Sequence, residues 1–177
     1  MDTNHARRRM LRGHLSGVNR VIRPPWAGPE ELFVDQCSRC DHCIEQCPSS
    51  IIKRGSGGFP EVDFSNGECD FCGECEAICQ TNALDLSIRP VPWFNHIEID
   101  ENRCLPYQGV TCITCAEQCE VRAIHFSPSL GGISKPQLNS EQCTGCGACI
   151  GPCPNSAISM KILDAATYPA ATGVQAK

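Results

Sequence analysis

The sequence predicts an α+β fold of two tandem modules, in which short helices and small β-pairs wrap round metal. Three observations predict it. The cysteines fall into four groups of four, the groups repeat in pairs, and little else is available to build a core. The 177 residues hold 16 Cys but only two Trp, two Tyr and six Phe. Fifteen Gly and 13 Pro commit much of the chain to turns and loops. A chain so short of bulky side chains makes a thin apolar core and needs staples, which are disulfides, zinc or iron–sulfur clusters.

Cysteine spacing selects among them. The first quartet is Cys37, Cys40, Cys43 and Cys47, spaced C-x2-C-x2-C-x3-C and followed by Pro48. The second, Cys69, Cys72, Cys75 and Cys79, has the same spacing, as does the fourth, Cys143, Cys146, Cys149 and Cys153, which is followed by Pro154. This is the bacterial ferredoxin run. Three thiolates at two-residue intervals curl a loop round one face of a cubane, and the fourth leads away along a helical turn to a neighbouring cluster. Gly73, Gly145 and Gly147 let the backbone pass close to a cluster, and Ile44, Ile78 and Ile150 are placed to keep water off one. Zinc sites pair two short knuckles, often with a His, which is a poor match to this pattern. Disulfides are disfavoured if the chain stays in a reducing compartment.

The third quartet departs from the pattern. Cys104, Cys112, Cys115 and Cys119 are spaced C-x7-C-x2-C-x3-C, so Leu105 to Thr111 must loop out. Either Cys104 is a ligand beyond that loop, or the site is short of a thiolate and suits a [3Fe–4S] cluster or labile iron.

A tandem repeat arranges the quartets. Glu68 to Cys75 aligns with Gln142 to Cys149 at an offset of 74, which also relates Gly57-Gly58 to Gly131-Gly132 and Ala83-Leu84 to Ala157-Ile158. Cys43, Cys47 and Ile52 match Cys115, Cys119 and Ile124 at an offset of 72, so the repeat implies one two-residue insertion before the second Gly-Gly. The expected architecture is a pair of bacterial 2[4Fe–4S] ferredoxin-like modules over residues 30–92 and 93–163. A basic arm over 1–29 precedes them and a disordered tail over 164–177 follows. Crossed ligation gives four sites. Site I takes Cys37, Cys40, Cys43 and Cys79, and site II takes Cys69, Cys72, Cys75 and Cys47. Site III takes Cys104, Cys112, Cys115 and Cys153, and site IV takes Cys143, Cys146, Cys149 and Cys119. Pairing quartet one with four and two with three is the alternative.

The elements follow in order. Glu30 to Gln36 reads as a short helix leading into site I, and the last gap of each quartet as a helical turn. Strands are expected at Pro60–Phe64, Leu84–Ile88, Phe94–Ile99, Ala123–Phe126, Lys135–Leu138 and Ala157–Ile162. The Phe94–Ile99 segment alternates apolar and polar residues as a half-exposed strand does. With clusters in place of a core, metal-free protein is expected to be largely unfolded.

Charge and missing motifs bound the function. Residues 1–25 hold six Arg and one acid, while the whole chain carries −5. The arm reads as a solvated segment or a dock for an acidic or phosphorylated partner. The acidic body argues against nucleic acid. No apolar stretch approaches the length of a membrane span. Arg7-Arg8-Arg9-Met10-Leu11-Arg12 resembles a twin-arginine signal, but Gly13-His14-Leu15-Ser16-Gly17 is too polar for the apolar region that must follow, so the chain is expected to be cytoplasmic. His42, His96 and His125 read as surface or packing residues. No catalytic triad, free C-x-x-C or phosphate loop is recognisable, so the chain is not expected to be an enzyme. Clusters held by four thiolates offer electron transfer, storage or structure.

Beyond the cysteines, the chain resembles the NapF family, ferredoxin-type accessory proteins of the periplasmic nitrate reductase system. The resemblance is carried by the Arg-rich start, Ile22-Arg23-Pro24-Pro25-Trp26, Cys37-Ser38-Arg39-Cys40 and Arg54-Gly55-Ser56-Gly57-Gly58-Phe59-Pro60. Cys104-Leu105-Pro106-Tyr107-Gln108 with its long gap and Pro136-Gln137-Leu138-Asn139-Ser140 complete it. Gln80 and Glu120 stand where Pro48 and Pro154 follow the other quartets. The resemblance implies four [4Fe–4S] clusters, ligation by Cys104, and a cytoplasmic protein that meets the catalytic subunit precursor, NapA, before export. Its implied role is to help load that subunit's cluster or to supply electrons for the step.

Overall fold

The computed structural model describes residues 21–87, 92, 95–128 and 132–162. The N-terminal Arg cluster and the tail over 164–177 lie outside them. The chain forms two tandem ferredoxin-type units of small antiparallel β-pairs and short helices, as the quartets predict.

In the first unit, helix α1 (Glu30–Gln36) opens with Glu30 and Glu31 in its first turn, where acids suit the helix dipole, and buries Phe33. Helix α2 (His42–Gln46) carries the end of the first quartet. Strand β1 (Ile52–Arg54) pairs with β2 (Pro60–Val62), and α3 (Glu74–Ala77) follows inside the second quartet. In the second unit, β3 (Asn95–Ile99) pairs with β6 (Ile158–Ile162) over five residues. Between them run α4 (Thr114–Glu117) and the pair of β4 (Ile124–Ser127) with β5 (Lys135–Leu138). The fourth quartet closes through hydrogen-bonded turns rather than a helix, because Gly151-Pro152 falls where helix would continue.

Two strand expectations change and one unexpected strand appears. Over Leu84–Ile88, Leu84 makes only an isolated bridge to Ala27, and residues 86–87 form a turn, with Ile88 outside the described residues. The Asp85 carboxylate accepts from the Ser87 amide (2.8 Å) and hydroxyl (2.6 Å), so Asx-turn chemistry overrides the apolar alternation. The same device stops β2 at Val62, where Asp63 accepts from the Ser65 amide (2.9 Å). Strand β1 is not visible in the sequence, because Ile52-Lys53-Arg54 has too little alternation and is specified by its partner. Phe94 lies outside the described residues.

The ladders also revise the insertion. Ile52 faces Val62, whereas Ile124 faces Leu138. The second hairpin is therefore longer by four residues, and the stretch from its end to the next cysteine is shorter by two. The extra residues of the first unit hold Phe64, which reaches across to the second. A Cβ on Gly147 would meet the Phe64 ring, and one on Gly151 would lie 2.6 Å from the Ser65 carbonyl oxygen. The Cys69 amide donates to the Cys146 carbonyl across the same contact (2.9 Å).

The first core gathers Trp26, Phe33, Ile51, Ile52, Val62, Phe64, Ala83 and Leu84, whereas the second has Ile97, Ile124, Cys149 and Ile158. Pro24, Pro25 and Trp26, within the residues read as an arm, are fully buried in the first. The Val62 amide donates to the Ile22 carbonyl (2.7 Å), fixing that segment along β2.

Candidate iron–sulfur sites

Left-handed backbone residues make the cysteine loops. Arg39 and Asp41 in the first quartet, Phe71 and Gly73 in the second, and Gly145 and Gly147 in the fourth all have φ between 57° and 84°. They stand two residues after the first cysteine and one after the second, and their reversal of the chain turns three side chains to one side. A second set recurs after every quartet. Ser50, Asn82, Arg122 and Ser156, each three residues past the last cysteine, have φ between 46° and 55°. The next residue is buried each time, as Ile51, Ala83, Ala123 and Ala157. In the second unit its amide returns to the cysteine, from Ala123 to Cys119 Sγ (3.2 Å) and from Ala157 to Cys153 Sγ (3.3 Å). The fourfold recurrence of a small or polar residue before a buried one is a signal that the sequence carries.

The crossed groupings meet in space. Burial, then the charges of Cys37, Cys40 and Cys79, pushes the Cys43 thiol up to about 11. Burial raises Cys69 to about 12, with Cys72 and Cys47 among its charged neighbours, and raises Cys75 further, with Cys69, Cys43, Cys72 and Cys47 adding. Cys47, Cys69, Cys72 and Cys75 together line a cavity of about 310 Å³ that is partly open to solvent. A second cavity, of about 380 Å³, is lined by Cys104, Cys112, Cys115 and Cys153. Burial raises Cys115 to about 11, with Cys104 and Cys112 adding. Burial raises Cys149 to about 12, with Cys146, Cys143 and Cys115 adding. Cys119 and Cys143 both pack against the core that contains Cys149. Cys40 is the exception. It is exposed, and a backbone hydrogen bond from His42, aided by Ser38, holds it below the usual thiol range.

Cys104 stands inside its cavity. The seven-residue gap is a 3₁₀ turn over Leu105–Gln108, closed by left-handed Gly109, with Pro106 buried beneath. The Cys104 amide donates to the Asp100 carbonyl (2.9 Å), and the Asn155 side chain donates to the Arg103 carbonyl (3.0 Å), tying the turn to the fourth quartet. The extra residues thus fold on themselves and leave Cys104 facing Cys112 and Cys153.

These cavities fit a cluster in chemistry. Each presents four thiols, all sixteen cysteines are unpaired by disulfides, and the surroundings are apolar. Among the described residues, no three His, Cys, Asp or Glu side chains converge as a single ion requires. Neutral at ordinary pH, the buried thiols must release protons when iron binds. The sites also form a line, since Cys43 neighbours Cys75, Cys69 contacts Cys146, and Cys149 neighbours Cys115. The order is I, II, IV, III.

Two matches to the 4Fe–4S dicluster domain family cover residues 28–84 and 110–157. The first spans quartets one and two, and the second, which begins after Cys104, spans the last three cysteines of quartet three and all of quartet four. The Ferredoxin-type protein NapF of Escherichia coli K12 is 44% identical over 165 residues, spanning 93% of this chain and 99% of the relative. The chain belongs to the NapF family. Its Haemophilus influenzae member is 38% identical, over 90% of this chain and 96% of the relative. A wider relation reaches the Methylamine utilization ferredoxin-type protein MauM of Methylobacillus flagellatus, at 32% over 87% of this chain and 73% of the relative. Family membership agrees with ferredoxin-type [4Fe–4S] binding and with the two-unit fold. No helix among the described residues is long and apolar enough to cross a membrane.

Proposed function

We propose that this protein is a cytoplasmic polyferredoxin with four [4Fe–4S] clusters, and that it serves the maturation of the periplasmic nitrate reductase catalytic subunit, NapA, before export. The observation that carries the reading is similarity to NapF proteins over nearly the full length of both chains. Sites I to IV are held by the crossed sets given above, with Cys104 a ligand of site III. Such clusters supply one-electron transfer. The chain's own part is to hold them, to exclude water with Ile44, Ile51, Phe126 and Ile150, and to present a docking face. Ferredoxin-type relatives and dicluster domains support an accessory factor or carrier rather than an enzyme. Anaerobic pull-down of the full chain should capture unexported NapA. Cells lacking the protein should make NapA deficient in its cluster. Failure of both results removes this reading.

The line of sites favours a second reading, an electron carrier feeding nitrate reduction. The two separate in the deletion strain. A carrier predicts cluster-replete NapA that works with artificial donors and fails with physiological ones.

A further inference from the structure

Trp26 lines the cavity of site II and carries a buried hydrogen-bond donor with no partner. Its side chain is 1% exposed. Its indole Nε1–H is buried and meets no acceptor among the described residues. Asp41 Oδ1, His42 Nδ1 and His96 Nδ1 are also buried without a partner, but of the four residues only Trp26 lines either of the two thiol cavities. There it stands beside Pro25, in a wall completed by Cys47, Cys69, Cys72 and Cys75.

The backbone is bent to put it there. In the second unit Ile158 pairs with Ile99, and the preceding residue, Glu98, is exposed. Leu84 holds the place of Ile158 in the repeat and pairs with Ala27, so Trp26 stands where Glu98 stands. A regular strand turns that position outward. Trp26 instead has φ 62°, a value rare for a bulky side chain, and its ring lies in the core. Its amide donates to the Pro92 carbonyl (2.9 Å) and its carbonyl accepts from the Asp85 amide (3.1 Å). Strain held at a buried residue marks a position that the surroundings enforce.

We propose that Trp26 is a positioning residue of site II, whose indole N–H donates a hydrogen bond to a sulfur of the cluster held by Cys47, Cys69, Cys72 and Cys75. The inference rests on the cluster reading of that site. A buried donor is nearly always satisfied. Besides the thiols, the side-chain acceptors in the wall are Ser49 and the exposed Asp70, and neither these nor any backbone carbonyl among the described residues is bonded to the indole. Hydrogen bonds to cluster sulfur help to set the potential. Reduction adds negative charge, so a donor favours the reduced form and raises the potential. At site IV the residue in the place of Trp26 is the exposed Glu98, whose side chain has no such donor to offer.

The test uses the full chain, purified anaerobically, as wild type, Trp26→Phe and the packing control Phe33→Leu. Iron and acid-labile sulfide are measured first. Deficient wild-type loading would fault the cluster reading and not this one. With loading established, potentiometric EPR should show one midpoint potential lowered in Trp26→Phe, the others held, and none moved in Phe33→Leu. In reduced wild type carrying ¹⁵N-indole tryptophan, pulsed EPR should detect one coupled indole nitrogen with an exchangeable proton, lost in Trp26→Phe. Unchanged potentials in fully loaded Trp26→Phe would overturn the proposal. So would an exchangeable proton with no indole coupling, as a bridging water gives. If Trp26→Phe does not load, the wild-type coupling alone decides.

Discussion

The two units share a quartet pattern and close it by different means. The second joins β3 to β6 through a five-residue ladder, with Ile97, Ile124 and Ile158 as its apolar filling. The first reduces that ladder to the Ala27–Leu84 bridge and fills the space with Trp26, Phe33 and Phe64. Backbone hydrogen bonds hold one unit's ends together, and side-chain volume holds the other's. Prolines explain the division. Pro24 and Pro25 lack the amides that a ladder needs, so the chain that enters the first unit must be fixed by burial. Identical metal chemistry can therefore rest on frames with different weak points.

Iron removal should expose that difference most strongly. Chelation under anaerobic conditions should unfold the second unit almost completely, while the first keeps residual order round its aromatic core. Amide exchange followed by mass spectrometry would show faster exchange over 95–162 than over 22–87. Equal loss in both would break the comparison.

Next in size, Cys104→Ser should remove one cluster, about four of some sixteen irons per chain, and loosen the Leu105–Gln108 turn. Iron content that stayed at the wild-type level would deny Cys104 its role as a ligand.

Packing changes should act locally. Phe33→Ala should cost the first unit about 3–5 kcal/mol and Ile97→Ala the second about 2–5 kcal/mol, each read as a shift in that unit's unfolding midpoint. A loss shared equally by both units would mean that they fold as one.

The smallest expected effect is a pH dependence in the second unit. Burial, with Lys161 adding and Glu98 opposing, holds His96 below its ordinary 6.5. The fold thus resists a proton that the unfolded chain accepts. Stability should be flat above 6.5 and should fall as pH drops below it, until His96 itself is protonated. His96→Gln should weaken that fall below pH 6.5 in thermal melts, and an unchanged slope would assign it to other groups.

Much of this architecture was legible because cysteine spacing is a geometric instruction. Cys43 with Cys79 and Cys47 with Cys75 follow from the reach of a three-residue gap, and the repeat at 74 carried the pattern to Cys149. Trp26 was not legible. Its inward turn depends on a left-handed backbone that Pro24-Pro25 and the Leu84 bridge impose together, and an isolated Pro-Pro-Trp reads as an arm. The Asx turns at Asp63 and Asp85 were written plainly as Asp-x-Ser, but apolar alternation nearby concealed them. The fold of the long gap, set by Pro106 and Gly109, needed the cavity beneath it.

Iron with acid-labile sulfide per chain tests most directly whether sixteen cysteines hold four cubanes. Anaerobically purified protein should contain about sixteen of each. A few irons with no sulfide, or about eight of each under conditions that fully load other ferredoxins, would contradict it.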